Sequence, residues 1–348
     1  MYSDQFQKLG DYTGDKMMKI RFQKLGGALL LSLCALLSTT ASWSQPTAGY
    51  PNKPVKLLVS LSPGGFNDLS GRLLAQALSQ SWGQPVIVEN RPGSASILAT
   101  EMAAKATPDG YTLYLASDGP FVINPFLYKT LPYHPVNDFM PAALVAYIPL
   151  ILIVNPEKVS AKTLREFVAE ARANAGKLDY ASAGVGSPHH LSMGALSGVA
   201  GVNLNHILYK GGAPALQAVV SGEVAAAFSV LSTSLPYAKA GKLRIIASTG
   251  LKRSMLAPDV PTIAESGYPG FEVVSWVGMI APKGTPQVIV DKIESDVLKI
   301  ARDPQFSQRL LAIGGEPPPG TAAEFRELIR RDQQRNGKLI RDLNIKPD

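Results

Sequence analysis

With 348 residues, 46% of them hydrophobic and 18% charged, the chain has material for a large core, and 31 Gly and 27 Pro are too few for a collagenous or low-complexity chain. The net charge of +7 is spread without a Lys/Arg block or interleaved aromatics, which excludes a nucleic-acid footprint and leaves a mild preference for small anions. The apolar run within 25–37 is shorter than the roughly 20 residues a spanning helix needs, which excludes a polytopic membrane protein.

The N-terminus reads as a secretory signal over 1–44. Lys19, Arg21 and Lys24 form a charged region, Leu25 to Leu37 an apolar one, and small residues run on to Ser44, with cleavage after Ala41 or after Ser44. Residues 1–16 carry acids ahead of that charged region, which suggests a true start at Met17 or Met18. The single cysteine, Cys34, leaves with the signal, so the exported protein has neither a disulfide nor a thiolate site. Export without disulfides fits a bacterial periplasm.

Beyond Gln45, apolar runs alternate with helical periodicity. A buried strand over 54–60, a helix over 69–81, a strand over 85–89, a helix over 97–106 and a strand over 111–116 make a first parallel series. Phe139 to Val154 is apolar enough for a long strand passing between two lobes. A second series follows: helix 163–174 with Thr163 and Glu166 spaced as a capping box, strand 178–182, helix 188–199, strand 204–209, helix 213–221, strand 224–230, a short helix near 234–240 and strand 243–248. Phe271 to Ala281 is a return strand. Helices 286–302 (Thr285 as N-cap), 304–313 and 321–341 (Thr321 and Glu324 as a second box) pack back on the first lobe. The fold class is therefore α/β, with two mainly parallel sheets flanked by helices and joined by two hinge strands. Lobe 1 takes 45–148 plus 275–348 and lobe 2 takes 149–274. Such pairs close around ligands.

Ligands of open α/β sheets sit beyond the carboxyl ends of the strands. Three turns there carry the candidates: Ser60 to Asp68, Ala116 to Gly119, and Ser182 to His190. Gly64, Gly65, Gly184 and Gly186 let backbone N–H groups approach an anion, Ser62, Ser117, Ser182 and Ser187 offer hydroxyls, and the following helix N-termini favour negative charge. A carboxylate is the group these turns suit. Gly64–Gly65 reads equally as a tight strand-to-helix turn, and Asp68 as an N-cap or first-turn acid. Ser187 before Pro188 is an N-cap whatever else it does. His189 and His190 are adjacent and cannot hold a metal from one helical face, and Trp276 reads as core or hinge packing. The chain lacks the Gly-x-Ser-x-Gly elbow, the phosphate-binding Gly-x-x-x-x-Gly-Lys loop, the dinucleotide fingerprint and His-Glu-x-x-His, and its four histidines leave few bases.

A series of ordered motifs then carries a family resemblance: Tyr50-Pro-x-Lys-Pro-Val, Pro63-Gly-Gly-x-x-Asp68, Val88-Glu-Asn-Arg-Pro-Gly93, Pro108-Asp-Gly-Tyr-Thr-Leu113, Tyr180-Ala-Ser-Ala-Gly-x-Gly-Ser187, Tyr209-Lys-Gly-Gly-Ala-Pro-Ala215, Pro258-Asp-Val-Pro-Thr-Ile-Ala-Glu-Ser-Gly267 and Ser275-Trp276. From about residue 48 to its end the chain resembles the periplasmic solute receptors of the tripartite tricarboxylate transporters, the Bug family. The resemblance implies a two-lobed periplasmic-binding fold of type II kind that closes on a small carboxylated metabolite. It implies delivery of that metabolite to integral-membrane permease subunits, or in a variant presentation to a membrane sensor kinase. A monomer is the default for a receptor that must open and close, and no cofactor, metal or nucleic acid is expected. By position it assigns Pro63, Gly64, Gly65, Phe66 and Asp68 in the first turn, Ser117 in the second, and Ser182, Gly184, Gly186, Ser187 and His190 in the third. Tyr209 and Lys210 follow the next strand, Lys210 being either the one cation near the cleft or a solvent-facing side chain. Three positions depart from the family pattern: Leu61-Ser62 before Pro-Gly-Gly, Ser229 after Phe228, and Asp118 after Ser117. If Asp118 faces the cleft, its charge disfavours a tricarboxylate and suits a ligand bearing an ammonium or amide, such as an amino acid or a nicotinate-like acid. The alternative from another class is a secreted α/β hydrolase or isomerase acting on a carboxylate through Ser182, Ser187 or His190.

Overall fold

The computed structural model describes residues 49–317 and 320–346, so the signal sequence, its cleavage sites and the start at Met17 or Met18 lie outside the described residues. β1 (Val55–Val59), α1 (Phe66–Trp82), β2 (Val86–Asn90), α2 (Ile97–Ala104) and β3 (Thr112–Ser117) form the first series. α1 begins three residues ahead of the expected helix, because Gly65 adopts an extended N-cap conformation directly after the turn. Two four-residue helices, α3 (Gly119–Val122) and α4 (Asn124–Leu127), follow β3, each with proline in its first turn. Each is about one turn long, too short for a 3.6-residue period to register in the sequence.

β4 (Phe139–Val154) is the long strand expected from its apolar run. After it come α5 (Leu164–Ala173), β5 (Asp179–Ser182), α6 (Pro188–Ala200), β6 (Asn205–Leu208), α7 (Gly212–Val220), β7 (Ala226–Val230), α8 (Leu231–Lys239), β8 (Arg244–Ser248) and β9 (Val274–Pro282). The chain closes with α9 (Gln287–Ala301), α10 (Pro304–Ala312) and α11 (Ala322–Asp342). Thr321 and Glu324 form a full capping box. At α5 only half of one forms, since Thr163 accepts from the Glu166 N–H while the Glu166 carboxylate takes the Lys162 N–H. Pro286, not Thr285, is the N-cap of α9, and the Thr285 hydroxyl donates to the Pro282 carbonyl instead.

The strand order is β2-β1-β3-β9-β4-β7-β5-β6, with β8 on the free edge of β4. β1, β2 and β3 are mutually parallel, as are β5, β6 and β7, while β9 and β8 run antiparallel to their neighbours. β4 changes sheets within its own length. Phe139 to Pro149 pair with β9, ending at Pro149 opposite Val274, and from Leu150 onward the strand lies between β7 and β8, with Ile151 opposite both Ser229 and Ser248. The return segment before β9 is tied to the second sheet by the Val273 N–H donating to the Thr249 carbonyl at 3.1 Å.

Both faces of each sheet are covered, which is why the strands read as continuous apolar runs. Successive side chains of a strand point to opposite faces. Leu57 and Val59 accordingly join Leu74 and Ile293 in one cluster, while Leu58 joins Tyr114, Phe121, Trp276 and Phe325 in another. In the second sheet Leu152 packs with Phe167 and Phe228, and Ile151 and Ile153 pack with Leu216 and Ala227. Trp276 is wholly buried against the Phe325 ring, with centroids 4.9 Å apart, as expected for a core residue.

Candidate functional site

The first turn links β1 to α1 and is built around a buried carboxylate. Asp68 Oδ2 accepts from the Gly64 N–H at 2.9 Å and from Arg72 Nε at 3.1 Å, and Arg72 also lies 2.9 Å from Oδ1. Burial works to raise the Asp68 pKa, but the Arg72 and Gly64 hydrogen bonds outweigh it and hold the carboxyl below the usual range. Asp68 is thus a first-turn acid, not the N-cap. Gly64 has φ +84°, a left-handed conformation that glycine adopts without steric cost and that lets its N–H reach back to Asp68. Pro63 and Gly65 are exposed, Phe66 half-buried. The first N–H groups of α1 have no intrahelical acceptor and no side-chain cap, so they are available to an anion. Two buried donors beside them, Ser60 Oγ and Asn67 Nδ2, make no hydrogen bond. Both lie within the turn from Ser60 to Asp68, but no motif residue marks either of them.

The second turn follows β3. Asp118 caps α3 by accepting from the Gly119 N–H at 2.9 Å. Burial pushes its carboxyl up to about 6, with the Ser275 hydroxyl of β9 acting against this and Asp332 of α11 adding to it. Its partners are thus its own helix and the hinge-side strand, and Ser117 beside it is half-buried.

The third turn, after β5, is a network of neutral groups. Ser187 caps α6 as expected, accepting from the His190 N–H, while its hydroxyl donates to the Gly184 carbonyl at 2.7 Å. His190 Nδ1 accepts from the Gly186 N–H at 3.1 Å, which leaves the ring's proton on Nε2. Gly184, at φ +136°, supplies the bend. The Ser182 hydroxyl is 2.7 Å from Nε2 of His206, a residue that no motif in the sequence marks. His206 stacks between Tyr180 and His190, with centroids 4.9 and 4.2 Å apart. Burial and the neighbouring His206 push His190 down to about 4, so its imidazole is neutral at pH 7. The register that places His206 opposite Tyr180 is the signal that finds it, because Tyr180 and Ser182 then share a strand face with it.

The remaining candidates stand apart from these networks. The Tyr209 hydroxyl donates to Glu223 at 2.7 Å, Lys210 is exposed, and the buried Ser229 hydroxyl accepts from Ser234 at 2.9 Å. Among the described residues no hydrogen bond joins one turn to another, and no group of three or more His, Cys, Asp or Glu side chains can hold a metal ion. Ser182 and His206 have the spacing of a nucleophile and its base, yet Ser182 is fully buried and its hydroxyl also lies 3.2 Å from the Gly184 carbonyl. That geometry stabilises a turn.

The model of the tripartite tricarboxylate transporter family receptor matches residues 71–345. Protein BugT of Bordetella pertussis is 32% identical over 320 residues, covering 91% of this chain and 98% of BugT. Among solved structures, that of R. palustris Rpa4515 with adipate is 32% identical, with a TM-score of 0.72 over 86% of this chain and all of that one. MatC of Rhodopseudomonas palustris with bound malate is 30% identical, with a TM-score of 0.67 over 84% of this chain and all of MatC.

Proposed function

The chain belongs to the tripartite tricarboxylate transporter receptor family, and from that premise we propose that it binds a small carboxylate between its two lobes and delivers it to a membrane permease of the tripartite type. The family and the matched structures are solute receptors, not enzymes, which sets aside the hydrolase or isomerase alternative. Receptors of this family are periplasmic, and we assign the export step to a signal over residues 1–44. Lobe 1 comprises 45–148 and 275–348, and lobe 2 comprises 149–274. The receptor acts as a monomer.

The observation that carries the reading is the first turn. Its one acid is paired to Arg72 and its Gly64 N–H is taken by Asp68, so the free N–H groups of α1 face an anion without a competing negative charge. A charged hydrogen bond of this kind contributes about 1.5–3 kcal/mol and the helix dipole about 0.3–1 kcal/mol more. Rpa4515 and MatC bind adipate and malate, both carboxylates, in the same fold. We assign Pro63 to Phe66 to one carboxylate, and Ser117 together with the turn of Ser182, Gly184, Gly186, Ser187 and His190 to the far side of the ligand. Asp68 and Asp118 hold backbone in place, and Tyr209, Lys210 and Ser229 border the cleft.

The test is thermal denaturation of the purified protein with di- and tricarboxylates, amino acids and aromatic acids. A ligand at 100 times its Kd adds about 2.7 kcal/mol of stability. A Cβ built at Gly65 meets only the Ser62 carbonyl at 3.5 Å, so Gly65→Val folds while filling the space above the N–H groups. Loss of the ligand shift in that variant, with unliganded stability kept, is the expected result. An unchanged shift would remove the first turn from the site.

A further inference from the structure

A cavity of about 480 Å³ lies on the other edge of the hinge strand, away from the three turns. Tyr147 pairs with Trp276 of β9 on one edge of β4 and with the backbone of Glu316 on the other, and the cavity opens on that second edge. One wall is Leu251 and Met255, which follow β8 of the second sheet, and the other is Glu316, bridged to β4, and Leu328 of α11, with Tyr147 and Pro149 also lining the cavity.

We propose that this cavity is a second binding site, for a small organic ammonium ion with an apolar stem. Most charges around it are already matched. Glu272 is paired to Arg331 at 2.6 Å, Arg253 to Glu265 at 2.9 Å and Glu327 to Arg330 at 2.5 Å, while Glu324 caps α11. Three charged lining groups make no ion pair among the described residues: Glu324, whose carboxylate is engaged by Thr321, Lys252, which is exposed, and Glu316. Glu316 Oε1 is buried and accepts no hydrogen bond. A buried carboxylate oxygen without a donor is costly, and rotation of the Glu316 side chain toward the cavity it lines brings the carboxylate to a primary ammonium, the compact donor that matches its charge. Burial raises the Glu316 pKa, with the Ser254 hydroxyl acting against it, in the same sense as a charge lacking its partner. The side chains of Leu251 and Met255, 49% and 67% exposed, supply apolar surface for an alkyl stem. This inference stands apart from the carboxylate reading.

The experiment titrates 3-methylbutylammonium chloride into the purified protein by calorimetry, with 4-methylpentanoate as the anionic counterpart. Saturable 1:1 binding of the amine is expected, unchanged in Gly65→Val and weakened at least tenfold in Glu316→Gln, which keeps the side chain's shape and removes its charge. Leu251→Trp, on the exposed rim, fills the cavity and gives the same loss without touching Glu316. Absence of saturable amine binding, equal binding of the acid, survival of amine binding in both Glu316→Gln and Leu251→Trp, or its loss in Gly65→Val would each overturn the assignment.

Discussion

The first and third turns solve one problem, holding glycine-rich backbone in a fixed shape at the end of a strand, with opposite chemistry. The first uses an ion pair, a buried Asp68 under a half-exposed Arg72, and leaves the N–H groups of α1 unengaged. The third uses only neutral groups, Ser182, Ser187 and the stacked His190 and His206 rings, which engage one another. A charge placed beneath the first turn binds one N–H and leaves the first N–H groups of α1 without a side-chain cap, whereas the neutral network consumes most of its own donors. The first turn therefore keeps donors unengaged, and the third uses its own to hold its shape.

Protonation breaks the contrast most strongly. His190 titrates near 6.5 when unfolded and near 4 in the fold, so the unfolded chain binds more protons between those values. The stability it contributes is complete above about 6.5 and is lost as pH falls through about 4, up to about 3 kcal/mol in all. Urea unfolding from pH 4.5 to 7 is expected to show that rise, reduced in His190→Gln; equal slopes in the two proteins would mean that the ring is not held neutral. The ion pair gives a smaller effect. Asp68→Ala removes the acceptor of Gly64 and is expected to cost about 2 kcal/mol, with a tenfold loss of ligand affinity, while Arg72→Ala costs under about 1 kcal/mol because solvent screens its side of the pair. If Arg72→Ala cost as much as Asp68→Ala in denaturant melts, the turn would depend on the arginine instead. The smallest effect belongs to Ser182→Ala, about 1 kcal/mol, with His206→Ala costing less in that background than alone. Additive losses in the double-mutant cycle would show that the two residues act separately.

Much of this was legible in the chain. Pro54 to Ser60 and Phe139 to Val154 announce buried strands because both faces are covered, and Ser187-Pro188 and Thr321 with Glu324 announce helix starts because caps are local chemistry. The glycines of the turns were legible for the same reason. His206 was not, since its role depends on the register of β5 against β6, and Glu316 was not, since it meets Tyr147 across 169 positions of chain. The environment of Asp118 was also hidden. Its position after β3 is local, but Ser275 and Asp332 reach it from distant elements.

The change of sheet within β4 has a consequence for how the gene can be cut. Pro149 and Val274 are paired neighbours in one ladder, and everything between them leaves and re-enters the first sheet at that single rung. The intervening 124 residues are thus an insertion in topological terms, and a short linker from residue 149 to residue 274 would preserve every strand pairing of the first sheet. Ends that lie so close together are what tolerate excision, permutation and grafting, so the second sheet is a unit that can be exchanged between receptors at one junction.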